Sequence, residues 1–275
     1  MPPARPVFFI SDHTGITAEV IGKSLLSQFP GQHFHVINMP FIDSLEKTRA
    51  AARQIHDAWE HDGIRPMVFS TLTDPEARAV FNECKALVMD IYGHFLGMMV
   101  DELGIQPQPK RGRAHGMKDF GTYHSRIDAV NFTLDVDDGL SQAKYAMADL
   151  ILVGVSRSGK TPTSLYMAMQ YGLRVANYPL TPEDFEQPGL PRTLKPHIHK
   201  LWGLTLAPER LAQIREERRP NSSYASLETC QNELQEAESR MRDSGIPVVD
   251  STHRSVEEIA ALIKQCLPPL PDQEI

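Results

Sequence analysis

Short apolar runs alternate with amphipathic stretches along the first third of the chain. "PVFFIS" reads as a buried strand, residues 18–29 as a helix with Val20, Ile21, Leu25 and Phe29 inward, and "HFHVINM" as a second strand. A helix opens on Asp43 as its cap and runs to about His61, "RPMVFST" reads as a third strand, and "TDPEARAVFNE" starts another helix. This βαβαβ pattern predicts parallel strands, helices on both faces, and a ligand crevice at the carboxyl ends of the strands.

The pattern breaks at "GIQPQPKRGRAHGM", which is rich in Pro, Gly and basic residues and has no periodicity. An amphipathic stretch around residues 123–134 and the turn signal "DVDDG" follow. Alternation then resumes with the strand "DLILVGV" and a helix from Lys160 to about Tyr171, which Gly172 can end. Further strands are expected at "LRVANYPL", "HKLWGLTL" and "IPVVDST", with helices over residues 208–219, 225–242 and 256–266. The Pro-rich tail "LPPLPDQEI" is expected to fray. The fold class is therefore α/β: an N-terminal parallel-sheet βαβ domain followed by an α/β domain that is P-loop kinase-like, since "GVSRSGKT" joins its first strand to the helix after it and fits G-x-x-x-x-G-K-[ST]. Residues 1–103 form the first domain, 104–144 a linker with a connecting helix, and 145–275 the second.

Composition narrows the class. A length of 275 residues suits two ordinary domains, and 41% hydrophobic with 23% charged residues is typical of a soluble globular chain. The net charge of −7 gives no global attraction to nucleic acid. Cys84, Cys230 and Cys266 are odd in number and widely spaced, which suits a reducing cytoplasm rather than a disulfide framework. The N-terminus carries only a short apolar run, and no segment approaches the roughly 18 apolar residues of a membrane span, so a cytoplasmic location without membrane is expected.

Chemistry concentrates in "GVSRSGKT", which fits G-x-x-x-x-G-K-[ST] and stands between a strand and a helix, the context that gives the motif meaning. Gly154, Val155, Ser156, Arg157, Ser158, Gly159, Lys160 and Thr161 would bind a nucleotide diphosphate through loop amides and the positive helix end. Lys160 supplies a point charge, Arg157 a second cation, and Thr161 a ligand for Mg²⁺, directly or through water. Pro162 falls in the first helical turn, where a missing N–H is tolerated. Asp149, at the far end of the strand, reads as structural.

Other candidates have two readings each. In "SDHTGITAE", Ser11, Thr14 and Thr17 offer hydroxyls, and Asp12 could be a base, a metal ligand or a turn residue. Asp137 and Asp138 could assist Mg²⁺ or cap the next helix. Lys110, Arg111, Arg113, His115 and Lys118 read as a solvated loop, or as a site for a phosphorylated side chain or a second phosphate. His33 with His35, and His197 with His199, have strand spacing without a third metal ligand. "RLAQIREERR" reads as a solvated helix face, although Arg215, Arg218 and Arg219 could reach phosphates.

With these residues in hand, the chain resembles the pyruvate, phosphate dikinase regulatory protein family over nearly its whole length. The resemblance rests on "FFISDHTGITAEV", "RIDAVNFTLDVDDG", "GVSRSGKTPTSLYMAMQYGLRVANYPL", "GLTLAPERLAQIREERRPNSSYASL" and "SVEEIA". "SRSGKTPTS" is similar to the branch acting on phosphoenolpyruvate synthase; dikinase regulators more often carry Ser where this chain has Gly159. His13 departs from the small residue, usually Gly, expected in that turn.

The resemblance implies an ADP-dependent kinase that phosphorylates and inactivates a partner threonine, and a phosphorylase that uses inorganic phosphate to remove that group as pyrophosphate. It further implies ADP bound at residues 154–161, Mg²⁺, phosphoenolpyruvate synthase as protein substrate, and a homodimer. Asp12 is the candidate base for the threonine hydroxyl, and residues 1–103 would supply docking surface or a cleft wall. A small-molecule kinase and a non-catalytic ADP-sensing module remain open alternatives.

Overall fold

A computed structural model describes residues 4–108 and 120–267. The chain divides into two compact units, Met1–Lys118 and Asp119–Ile275. The basic cluster 110–118 and the tail from residue 268 lie outside the described residues.

The first unit runs β1 (Arg5–Ile10), α1 (Ile16–Leu26), β2 (Phe34–Met39), α2 (Leu45–Asp62), β3 (Met67–Ser70), α3 (Pro75–Phe81), β4 (Leu87–Asp90) and α4 (Ile91–Leu103). Its strands form one parallel sheet in the order β2-β1-β3-β4. Side chains alternate across the central strand. Phe8 and Ile10 pack with Ala51 and Ile55 of α2 and with Ala77 and Phe81 of α3. Val7 and Phe9 face the other way, onto Ala18 and Leu26 of α1 and Ile91 of α4. Burial on both faces explains why β1 reads as a continuous apolar run.

Two expectations are corrected here. On α1 the buried residues are Ala18, Gly22 and Leu26, whereas Val20, Leu25 and Phe29 are exposed. The cause is close approach: a Cβ on Gly22 would collide with the Phe9 ring, so the helix meets the sheet along its small residues. The cap of α2 is Ser44, whose side chain accepts from the Lys47 N–H, rather than Asp43.

The second unit contains α5 (Phe120–Asp135), β5 (Leu150–Val155), α6 (Lys160–Tyr171), β6 (Val175–Leu180), α7 (Pro182–Phe185), β7 (Leu201–Thr205), α8 (Pro208–Arg218), α9 (Leu227–Asp243), β8 (Val248–Asp250) and α10 (Val256–Cys266). Its sheet is also parallel, in the order β6-β5-β7-β8. Ile151 and Val153 of β5 join a core with Leu211 of α8 and Leu234, Ala237 and Met241 of α9. Leu150 and Leu152 pack on Met167 of α6 and Ile259, Ala260 and Ile263 of α10. α5 belongs to this unit: Phe132 lies in its core, and Thr133 Oγ1 accepts the N–H of Val175. The two four-stranded parallel sheets agree with the expected α/β class.

His197 and His199 are not on a strand; both lie in a 3-10 helix, Lys195–Lys200, ahead of β7. Pro196 cannot donate to a strand ladder, which favours the tighter turn. No helix among the described residues is long and apolar enough to cross a membrane.

Candidate phosphate-binding site

β5 is buried throughout and delivers the chain to residues 156–159 at the carboxyl edge of the sheet. The strand approaches its neighbour closely at Gly154, where a Cβ would collide with the Leu204 carbonyl. The turn then uses left-handed backbone at Arg157 (φ 75°) and at Gly159 (φ 93°). At a non-glycine residue this conformation costs on the order of 1–2 kcal/mol. Turns of this kind present backbone N–H groups to an anion. α6 starts at Lys160 with no side-chain cap from Gly159, which leaves first-turn amides for a ligand at the positive end of the helix.

The side chains in the loop divide into exposed and buried. Arg157 is exposed. Lys160 is buried, and its Nζ donates to the Val155 carbonyl at 2.8 Å. Burial lowers the pKa of this ammonium to about 8, while Asp138 and Asp137 oppose the shift. Ser158 is buried, and its Oγ has no hydrogen-bond partner among the described residues. An orphan hydroxyl, a buried cation and uncapped helix amides in one turn are a donor set that fits a phosphate group.

Beside this loop stands a polar chain that sequence reading left ambiguous. Thr161 Oγ1 donates to Asp137 Oδ1 at 2.9 Å, and Asn177 Nδ2 donates to the same oxygen at 2.6 Å. Asn177 Oδ1 in turn accepts the Asp138 N–H at 3.0 Å. The capping role considered for Asp137 is therefore not what its side chain does. Thr161 and Asp137 together can serve a divalent cation held by a bound diphosphate.

The solvated-face reading of α8 fails at Arg215, which is fully buried. Its Nη2 donates to the Ser156 carbonyl at 3.2 Å and to Glu233 Oε2 at 2.6 Å, and its Nη1 donates to the Tyr224 carbonyl at 3.1 Å. The guanidinium carbon lies 4.1 Å from the Tyr224 ring centroid, and the Tyr224 hydroxyl donates to Ser156 Oγ at 3.0 Å. Ser251 Oγ ties the opposite side of the loop, within hydrogen-bond reach of the carbonyls of Ser158 and Thr205. Arg240, also buried, donates to the carbonyls of Phe185, Gln187 and Gly189 and so holds the segment after β6. Tyr224, Ser251 and Arg240 carry no local motif that would have singled them out. Asp149 takes its expected structural place, exchanging hydrogen bonds with Arg174 at the start of β6.

In the first unit, Asp12 is buried at the end of β1. Its Oδ2 accepts from the Thr73 N–H at 2.9 Å and from Thr73 Oγ1 at 2.6 Å, across the gap between the loops that follow β1 and β3. In the order β2-β1-β3-β4 this lies between adjacent strands whose following helices, α1 and α3, pack on opposite faces, the usual ligand crevice of a doubly wound sheet. The His13 ring stands edge-on to Phe41 with centroids 6.1 Å apart, and its Nδ1 is buried without a partner among the described residues.

The kinase/pyrophosphorylase family profile matches residues 7–263. Relatives provisionally named phosphoenolpyruvate synthase regulatory proteins include one from Aromatoleum aromaticum, 52% identical over 96% of this chain and 96% of its own. Another, from an Azoarcus species, is 53% identical over 96% of this chain and 95% of its own, and one from Burkholderia mallei is 52% identical over 94% and 95%. A phosphotransferase-type chemistry is what this family and the loop on β5 have in common, and the chain belongs to the kinase/pyrophosphorylase family.

Proposed function

We propose that this protein regulates phosphoenolpyruvate synthase by two opposed phosphoryl transfers at the 154–161 loop. In one, the β-phosphoryl of ADP passes to a threonine hydroxyl of the synthase, giving phosphothreonine and AMP. In the other, inorganic phosphate accepts the phosphoryl group from that threonine, giving free threonine and pyrophosphate. The observation that carries the reading is the buried set of Lys160, Ser158 and uncapped α6 amides directly after β5. The names of the relatives, which span nearly the full chain, supply the identity of the partner.

Phosphoryl transfer needs positioned cations more than a covalent nucleophile. Lys160 leaves the Val155 carbonyl for a phosphate oxygen, and the loop amides bind the remaining oxygens. Arg157, exposed on the loop, adds charge to a site that would hold several phosphate groups. Thr161, backed by Asp137, is the residue that would hold Mg²⁺, which supplies neutralisation of the diphosphate charge. Asp12 is the base assigned to the accepting hydroxyl; the two hydrogen bonds from Thr73 fix its carboxylate.

The test is mass spectrometry of purified synthase after incubation with this protein and ADP or ATP. Phosphothreonine formed with ADP and removed by phosphate supports the reading. Turnover of a metabolite with no modified synthase would indicate a small-molecule kinase, and tight ADP binding with no transfer a sensing module.

A further inference from the structure

β6 is an apolar strand except at one position. Asn177 is fully buried and sits opposite Leu152 of β5, where an unsatisfied amide would be costly. Both ends of its amide are used: Nδ2 donates to Asp137 Oδ1, and Oδ1 accepts the Asp138 N–H. This reciprocal pair fixes the amide orientation and pins the turn Asp137–Gly139, in which Asp138 takes left-handed backbone (φ 49°). The result is a carboxylate held at one place, 2.9 Å from the Thr161 hydroxyl.

The carboxylates near the carboxyl ends of the other strands are committed elsewhere. Asp184, after β6, accepts from the Thr181 N–H and Tyr178 Oη, and Asp250, ending β8, accepts from the N–H and hydroxyl of Thr252. Asp137 reaches the loop from upstream of β5, and Asn177 is what holds it there.

We propose that Asn177 is a positioning residue for divalent-cation use: it fixes Asp137 so that the carboxylate takes the Thr161 hydroxyl proton in a hydrogen bond and turns that oxygen's lone pairs to the cation. Asp137 would then act on the cation through the Thr161 hydroxyl rather than bind phosphate. This inference rests on the nucleotide reading of the loop given above. Partners behind a metal ligand of this kind change metal affinity by about 10- to 100-fold when removed.

The experiment is titration of fluorescent ADP into the full chain with excess Mg²⁺ and with EDTA, for the unaltered protein, Asn177→Ala and Asp137→Asn. Asp137 is only half-buried, so Asp137→Asn keeps the test available if Asn177→Ala does not fold. Both variants should keep the affinity measured in EDTA and lose about tenfold of the Mg²⁺-dependent gain, with half-saturation moved to higher Mg²⁺. An equal loss with and without Mg²⁺ would reduce Asn177 to a packing role and overturn the proposal. An unaltered protein that binds ADP with no response to Mg²⁺ would also overturn it, leaving the nucleotide reading intact. No ADP binding under either condition would remove both.

Discussion

Arg215 and Ser156, 59 residues apart in sequence, are joined by a hydrogen bond from a fully buried guanidinium to a loop carbonyl. The same guanidinium pairs with Glu233 and lies on Tyr224, whose hydroxyl returns to Ser156. The loop is thus braced from one side by α8 and α9, so its shape depends on a buried ion pair.

Removing one member of this buried pair leaves the other charge uncompensated. Arg215→Met should lower unfolding free energy by about 3–5 kcal/mol in urea denaturation and weaken ADP binding with it. The double change Arg215→Met with Glu233→Met should recover most of the stability, because the stranded carboxylate is then gone, and little of the affinity. Full recovery of ADP binding in the double variant would show that the Ser156 contact does not shape the loop.

Lys160 gives a pH signature. Its folded pKa of about 8 lies below the ordinary 10.5, so between those values the unfolded chain binds more protons than the folded one. Stability of the ligand-free protein therefore rises with pH across that window. Below pH 8 the buried charge carries its full penalty, about 3 kcal/mol, which Lys160→Met should relieve while abolishing transfer in both directions. ADP phosphates favour the charged form, so binding near pH 9 should take up a proton. Calorimetry in two buffers of different ionisation enthalpy reads that uptake directly, and its persistence in Lys160→Met would assign the proton to another group.

Two glycines of the loop should fail for different reasons. Gly154→Ala pushes a methyl against the Leu204 carbonyl and should cost about 1–3 kcal/mol of stability. Gly159 has open space where a Cβ would stand, but its φ of 93° disfavours any side chain. Gly159→Ala should therefore reshape the turn and lower ADP affinity with a smaller change in melting temperature. Equal effects of the two substitutions in paired thermal and binding measurements would contradict this division.

Legibility from sequence followed the range of the contacts. The 154–161 loop was readable because strand, turn and helix are contiguous, and most elements of the second unit fall where periodicity places them. Arg215 was not, because what buries it comes from Tyr224 and Glu233 on elements that are not contiguous with it in the pattern. Asp137 stayed ambiguous since its partners lie 24 and 40 residues away. β4 and α4 went unseen for a local reason: Asp90 ends the strand and caps the helix that begins at Ile91, so no loop punctuates the apolar run. On α1 the large residues Val20 and Leu25 were misleading, and Ala18 and Gly22, with Leu26, mark the buried face.

Asp12→Asn separates a base from a brace. The amide oxygen still accepts from Thr73, so the turn should hold and ADP affinity should be unchanged, while threonine phosphorylation falls by about 100-fold or more. Full kinase activity in this variant would leave Asp12 as a structural link between the loops after β1 and β3.

The central claim is that one phosphoryl group travels from ADP to a synthase threonine and on to inorganic phosphate. The direct measurement starts with β-³²P-labelled ADP, this protein and purified synthase, followed by removal of nucleotide and addition of unlabelled phosphate. The account predicts label first on a synthase threonine and then, quantitatively, in pyrophosphate. Label that never reaches the synthase, or that leaves it as free phosphate, would contradict it.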